Sequence, residues 1–523
     1  MHLVPARAAI RSGALVLVLA SALSACGGGS GSGNTVTTAT YPSTGYYVPV
    51  YRWAGLNRVG LSLVHASTPT VEYVVSAPGS SIDANWTLYG AQQNGSSVNV
   101  IPGYLLYVQA GTLYELPLLA NGSKPGATTV PTGLVACAIS NSHTPNSAPE
   151  TAQVIIRTAG TDGSCGTADD GEARVNLATP LSATTVQNSG YTYKGYVYSG
   201  IQAQPNIWVE ASSSGALYRD DGSTLQLLRA SNGNMPTRLA GYNTSLLLQD
   251  GSQLSMVSYS AGAWQVVPVA GTTGSWTLAG SDNSNYYVYT TAGGPGSSWQ
   301  LLAIPMSGNS ATTLASGSGS VAYASVGSSQ VFVSVLGASY NYLSMVAKNG
   351  SAATAVDTND TTVRDLVVIL GGGRHVLYKA KYSGSSFVGG QVSSIDEAGA
   401  TVALAANAQL ASFVIPGSFA ASTAGLPMQL SFVSNSSYMT DFSGSQLKTF
   451  DSSTGSLTIN GTLPTSSALG TANVFWRGGD AYAATGGILV TATNASGFLE
   501  PPARVYFYNP SQANSLTQTT SQQ

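Results

Sequence analysis

Tyr286-Tyr287-Val288-Tyr289, Val331-Phe332-Val333 and Val376-Leu377-Tyr378 are three short apolar and aromatic runs whose first residues stand 45 positions apart. Each is followed by a second run rich in β-formers, at residues 299–304, 342–346 and 391–395. A turn then comes at Gly308, Gly350 or Gly399, leading into small-residue third runs at 311–314, 352–356 and 400–404. Fourth runs at 321–324 and 363–370 precede the restart of the cycle. Four short strands in about 45 residues is the period of a β-propeller blade.

The same grammar extends outward from this centre. Residues 105–108, 113–116 and 127–130 reproduce three of the runs, and 246–248, 254–257, 264–267 and 276–278 reproduce four. Gly or Pro interrupts nearly every window long enough for a helix, so the chain reads as all-β. The expected architecture is a β-propeller of seven or eight four-stranded blades over residues 41–510. A β-solenoid or tandem β-sandwiches are the alternatives, but solenoid rungs run below about 30 residues and sandwiches near about 100. Closing the ring takes a last blade shared between the two ends or some other latch, and the final runs at 474–476, 488–491 and 505–508 are candidates to pair with an early strand such as 59–64. Ser, Gln, Asn and Thr dominate after Pro510, which predicts a disordered tail over 511–523.

The N-terminus carries an address. Arg7 and Arg11 precede an apolar run from Ala14 to Leu23, and Leu23-Ser24-Ala25-Cys26 ends it. Basic start, apolar middle and small-residue end describe a secretory signal over residues 1–25, too short to span a bilayer, which takes about 20 apolar residues. The segment resembles the lipobox of bacterial lipoproteins, in which the chain is cut before the cysteine and that cysteine is lipidated. The resemblance implies lipidation of Cys26, and Gly27 in place of aspartate implies transfer to the outer membrane, facing the periplasm or the cell surface. Residues 26–40 then form the anchor and a Gly/Ser-rich tether.

Removing the signal leaves 498 of the 523 residues, and loss of its two arginines takes the formal charge from −3 to −5. Charged residues make up 8% of the chain, against a globular norm of roughly 25%. No clustered Lys and Arg suggest a nucleic-acid partner. Cys137 and Cys165 remain after Cys26 is assigned to lipid, and in an oxidising compartment an even pair reads as a disulfide. Cys165 lies in Gly160-Thr161-Asp162-Gly163-Ser164-Cys165-Gly166-Thr167-Ala168-Asp169-Asp170-Gly171-Glu172. This stretch resembles the Asp-Gly-x-x-Gly-Thr-x-Asp-Asp loops of many exported bacterial proteins. Asp162, Asp169, Asp170 and Glu172 would supply oxygens to a calcium ion, although an acidic hairpin capped by its own Asp side chains is the simpler reading.

Motifs for catalysis are sparse. His65, His143 and His375 are the histidines of the mature chain, widely spaced and in no metal-binding pattern. No Gly-x-Ser-x-Gly elbow or Gly-x-x-x-x-Gly-Lys loop occurs. Gly371-Gly372-Gly373-Arg374 reads as a tight turn, and Asp220-Asp221-Gly222-Ser223-Thr224 as a type I′ hairpin turn with a partial resemblance to the Asp boxes of sialidases. Tyr191, Tyr193, Tyr196 and Tyr198 lie in one β-rich stretch where Gly195 breaks the alternation as a bulge would. They read as packing between blades, with sugar stacking or partner binding as the alternative. The function expected is that of a monomeric, non-catalytic binding or scaffold lipoprotein whose partner is an envelope protein or a glycan. A carbohydrate-active hydrolase with paired carboxylates in the central channel is the enzyme alternative. The architecture and anchor also resemble the propeller lipoproteins that serve outer-membrane protein insertion.

Overall fold

The computed structural model describes the strands between residues 47 and 103 as backbone, and most of residues 104–463. Outside the description are residues 118–127, 140–152, 178–182, 187–189, 198–206, 291–296, 409–428 and 435–443 and a few shorter stretches; the strands and last turn between 474 and 518 are included. Cys26, the signal and the tether lie outside the described residues. Among the described residues every regular element is a strand, and no helix is long and apolar enough to cross a membrane.

Among the described residues the strands form ten antiparallel sheets in chain order. They cover residues 47–76, 83–129, 136–186, 191–229, 237–268, 276–318, 320–356, 363–405, 429–462 and 474–518, and are numbered sheets 1 to 10 here. Eight have four strands, sheets 1 and 9 have three, and a small hairpin of Gln92–Asn94 with Ser97–Asn99 is inserted in sheet 2. Ten exceeds the seven or eight expected, because the period of about 45 residues runs almost the whole length and little chain goes to insertions.

The phase of the repeat also differs from its reading in sequence. The runs at 321–324 and 363–370 open sheets 7 and 8 as their first strands, Ser320–Val326 and Val363–Ile369. Only Gly319 separates strand Thr312–Ser318 of sheet 6 from Ser320 of sheet 7. A one-residue link between sheets and a one-residue turn within a sheet look alike in sequence.

Two expectations about the C-terminus are corrected. Strand Asn57–His65 pairs with Tyr47–Ala54 and Val71–Ser76, so sheet 10 is built from C-terminal strands alone rather than shared with it. Residues 511–518 are ordered in that sheet: Thr517–Gln518 pairs with Arg504–Tyr508, and the Asn514 and Leu516 N–H groups donate to the Ile459 and Asn460 carbonyls of sheet 9. Asn460 is buried and its Nδ2 donates to the Asn509 and Gln512 carbonyls. Backbone pairing does not depend on apolar side chains, which is why the polar composition misleads here.

Alternation along each strand sends side chains to both faces, and from sheet 2 to sheet 9 successive sheets meet through them. Ile207, Val209 and Ala211 of sheet 4, for example, pack with Leu246, Leu248 and Val257 of sheet 5. Equivalent apolar clusters fill the junctions between sheets 2 and 3, 5 and 6, 6 and 7, 7 and 8, and 8 and 9. Each fully buried aliphatic or aromatic side chain contributes about 1.5–3 kcal/mol to holding the stack together. The junction between sheets 3 and 4 is different: among the described residues its buried apolar cluster is Ile155, Tyr193 and Trp208, with Tyr196 partly buried against it.

Candidate functional site between sheets 3 and 4

Strand Ile207–Ser212 explains the difference. Its apolar residues face sheet 5, which turns Trp208 and Glu210 toward sheet 3. In the antiparallel register Trp208 stands opposite Asp220 and Tyr196, and Glu210 opposite Tyr218 and Tyr193. Tyr193 and Tyr196 are three residues apart, which in a regular strand would point them to opposite faces. The register shifts between Tyr193 and Gly195, so the bulge foreseen at Gly195 puts both rings on the same face.

Arg174 enters this face from strand Gly171–Leu177 of sheet 3. Its Nη2 donates to Asp220 Oδ2 at 3.0 Å, and its guanidinium carbon lies 5.1 Å from the Trp208 ring centre and 5.8 Å from that of Tyr193. Arg174, Asp220 and Glu210 are 3%, 5% and 0% exposed. Nε and Nη1 of Arg174 have no hydrogen-bond partner among the described residues, and the aromatic faces take their place through cation–π attraction. Two residues earlier, Glu172 Oε2 accepts the Tyr193 N–H at 2.8 Å. Burial, followed by the charge of Glu210, pushes the Tyr193 hydroxyl well above its ordinary range, and burial lowers the Lys194 ammonium against the opposing pull of Glu172. The arrangement neutralises a carboxylate inside a sheet junction and fixes one sheet against the next. The tyrosine cluster is therefore in large part packing between sheets; Tyr198 lies outside the described residues.

The loop that leads into Glu172 is held by the disulfide between Cys137 and Cys165, whose Cα atoms are 5.5 Å apart. Its carboxylates are capped by the loop itself. Asp162 Oδ1 accepts the Ser164 N–H at 2.8 Å, Asp169 accepts the Thr167 and Thr161 hydroxyls at 2.7 and 3.0 Å, and Asp170 accepts the Gly166 N–H at 2.9 Å. Hydrogen bonds from Thr167 and then Thr161 hold the Asp169 carboxyl at about 2. Glu172 points instead to Tyr193, away from a shared cation position. No group of three or more His, Cys, Asp or Glu able to hold a metal ion is present among the described residues. Asp162, Asp169 and Asp170 form a self-capped turn, and a chelator is expected to leave the thermal midpoint unchanged, as a differential scanning measurement would show.

The turn after Asp220 is a correction. Asp220 pairs with Leu225, so the loop has four residues rather than the two of a type I′ turn, and Asp221 Oδ1 caps it by accepting the Thr224 N–H at 2.9 Å. A four-residue loop leaves room for that cap, which a two-residue turn does not.

His375 belongs to a second polar cluster, which sequence spacing did not reveal. Glu397, in the turn before strand Thr401–Ala405 of sheet 8, accepts the N–H and hydroxyl groups of both Ser328 and Ser329 in sheet 7. The Gly371 N–H donates to His375 Nδ1 at 3.1 Å, which leaves the ring proton on Nε2, 3.3 Å from Glu397 Oε1. Both imidazole nitrogens are engaged and neither serine hydroxyl reaches the ring, so this is no nucleophile–base pair. The glycine turn at 371–373 is tight, as expected, because it abuts sheet 9: the Gly372 and Arg374 N–H groups donate to Ser452 Oγ and O, and a Cβ on Gly371 would collide with the Arg374 carbonyl. Lys348 on Asp282, at 3.0 Å, joins sheets 7 and 6 in the same way. At three successive junctions a turn between the last two strands of one sheet thus grips the turn that opens the sheet before it.

Burial opposes ionisation of Glu397, but the hydrogen bonds from His375, Ser329 and Ser328 outweigh it and hold the carboxyl well below its ordinary 4.5. A lowered carboxyl stabilises the fold at pH above its unfolded value and loses that contribution as pH falls through the folded one. Acid titration from pH 5 downward is therefore expected to weaken the protein, and Glu397→Gln to flatten that pH dependence while lowering stability at neutral pH by about 1–2 kcal/mol.

No family model matches the chain, and no curated protein does. Among solved structures, a eukaryotic initiation factor is similar over 92% of this chain and 98% of its own, with 10% identity and a TM-score of 0.44. A prolyl endopeptidase matches over 66% of this chain with 7% identity and a TM-score of 0.33. The tricorn protease matches over 88% with 10% identity and a TM-score of 0.27. The chain spans about half the length of these two peptidases, 52% and 44%.

Proposed function

We propose that this chain is a lipoprotein of the bacterial outer membrane, anchored through Cys26, whose sheets close into a β-propeller that works as a non-catalytic binding or scaffold module. The observation that carries the non-catalytic reading is the commitment of the strongest charge cluster to structure. Arg174, Asp220 and Glu210 are almost wholly buried between two sheets, where no substrate reaches them. Serial packing of successive sheets from sheet 2 to sheet 9 supports the ring, since closure is how such sheets avoid long bare edges.

Three measurements test these parts. Cys26→Ser is expected to abolish labelling by a fatty-acid analogue and to release the protein from the membrane fraction; labelling that persists would sink the anchor. Cysteines introduced in strands Asn57–His65 and Val474–Arg477 are expected to come within cross-linking distance if the ring closes. Hydrolase chemistry by paired carboxylates in a central channel is the second reading. It requires glycan turnover, whereas the binding reading expects none from the wild type.

A further inference from the structure

The disulfide of sheet 3 joins two unlike environments. Cys137 is 3% exposed and is the extra residue of a bulge in strand Ala136–Ile139, where the pairing steps from Ala136 opposite Thr158 to Ala138 opposite Arg157. Its neighbours Ala136 and Ile139 belong to the apolar cluster between sheets 2 and 3. Cys165 is exposed, as is every residue from Thr161 to Thr167. A Cβ added to Gly163 or Gly166 would meet nothing within 4 Å, so the space on both sides of Cys165 is open.

The loop has other fastenings besides the bridge. Asp162 Oδ1 accepts the Ser164 N–H at 2.8 Å and Asp170 Oδ2 the Gly166 N–H at 2.9 Å, which fixes the residues on either side of Cys165. Thr158 pairs with Gly171 at the base of the loop, and the Ala159 N–H donates to the Val135 carbonyl, two residues before Cys137. Opening the bridge therefore frees two sulfurs while sheet 3 stays paired.

Thiol–disulfide exchange is an in-line displacement, the thiolate entering opposite the sulfur that leaves, and access governs which sulfur is attacked. Packed residues bar the way to Cys137, whereas Cys165 is open to solvent. We infer that Cys165 is the exchange site of this bridge and that its reaction partner is a dithiol. The first thiolate bonds to Cys165 Sγ as the bond between the two cysteines breaks, and Cys137 leaves with the electron pair and takes up a proton. The second thiol loses its proton, attacks the partner's own sulfur in the mixed disulfide and expels Cys165 as a thiolate, which is protonated in turn. Two electrons thus pass from the dithiol to the bridge, and the reverse sequence closes it. Burial keeps Cys137 inert toward outside reagents, so Cys165 makes every covalent contact with the partner.

The test uses the full chain carrying Cys26→Ser, which leaves Cys137 and Cys165 as its cysteines. The folded, oxidised protein is treated with 2-mercaptoethanol, quenched in acid, alkylated and mapped by peptide mass spectrometry. The mercaptoethanol adduct is expected on Cys165 and the alkyl group on Cys137. With dithiothreitol, the rate of opening is expected to rise in proportion to reagent and to exceed the rate of global unfolding measured by denaturant jump. Adducts on Cys137, adducts shared evenly between the two, or a rate that levels off at the unfolding rate overturn the inference. In the variants Cys137→Ala and Cys165→Ala the remaining thiol is titrated with an aromatic disulfide reagent, and Cys165 is expected to react at least about tenfold faster than Cys137. Comparable rates overturn it as well, and the wild-type adduct map decides on its own if either variant does not fold.

Discussion

Arg174→Ala is expected to destabilise the protein by about 3–5 kcal/mol, the cost of leaving a buried charge without its partner. Asp220 is 5% exposed and its Oδ2 is held by Arg174 Nη2 at 3.0 Å. Without the guanidinium, its carboxylate would face Trp208 and Tyr193 rather than water. Chemical denaturation followed by tryptophan fluorescence measures the loss. The double change Arg174→Met with Asp220→Leu separates the two parts of the effect, since it removes the charges together and fills the volume. Buried pairs replaced in this way are often neutral or more stable, so the double variant is expected within about 1 kcal/mol of the wild type. A double variant as weak as the single one would mean that the pair stabilises by more than mutual neutralisation.

Removing the disulfide is the second large effect. The bridge closes 28 residues of separation, and restricting the unfolded chain over such a loop is worth about 3.5 kcal/mol. Cys137→Ala with Cys165→Ala is expected to lower the unfolding free energy by about that amount, and a reductant is expected to do the same to the wild type. The acidic turn itself should persist, because Asp162, Asp169 and Asp170 are capped within the loop. Its position against sheet 4 is what loosens. Equal denaturation midpoints with and without reductant would show that the bridge adds nothing to the fold.

The sheets were legible in the sequence because their signal is local. Runs at 286–289, 331–333 and 376–378 fall in strands Asn285–Thr290, Gln330–Leu336 and His375–Ser383, each the second strand of its sheet. The bulge at Gly195 was equally readable, since a glycine set among alternate tyrosines breaks the two-residue period as an inserted residue does. Arg174 was not. It meets a residue 46 positions away in another sheet, and nothing within a single repeat marks which charged residue will be buried. The Glu397 cluster was hidden for the same reason, joining serines almost 70 positions earlier in sequence. Contacts between repeats follow from stacking, whereas sequence periodicity reports what happens inside one repeat.

The place of residues 511–518 in sheet 10 has a consequence for the order in which the sheets are completed. Sheets 3 to 10 each pair strands adjacent in sequence, so a sheet can assemble as soon as its own segment is available. Sheet 10 and its clasp on Asn460 must wait for the final dozen or so residues. A translation product or proteolytic fragment that stops near Pro510 keeps its earlier sheets but bares the edge of Arg504–Tyr508 and the carbonyls of Ile459 and Asn460. Bare strand edges recruit other strands, which makes the last eight ordered residues a checkpoint separating finished molecules from aggregation-prone ones.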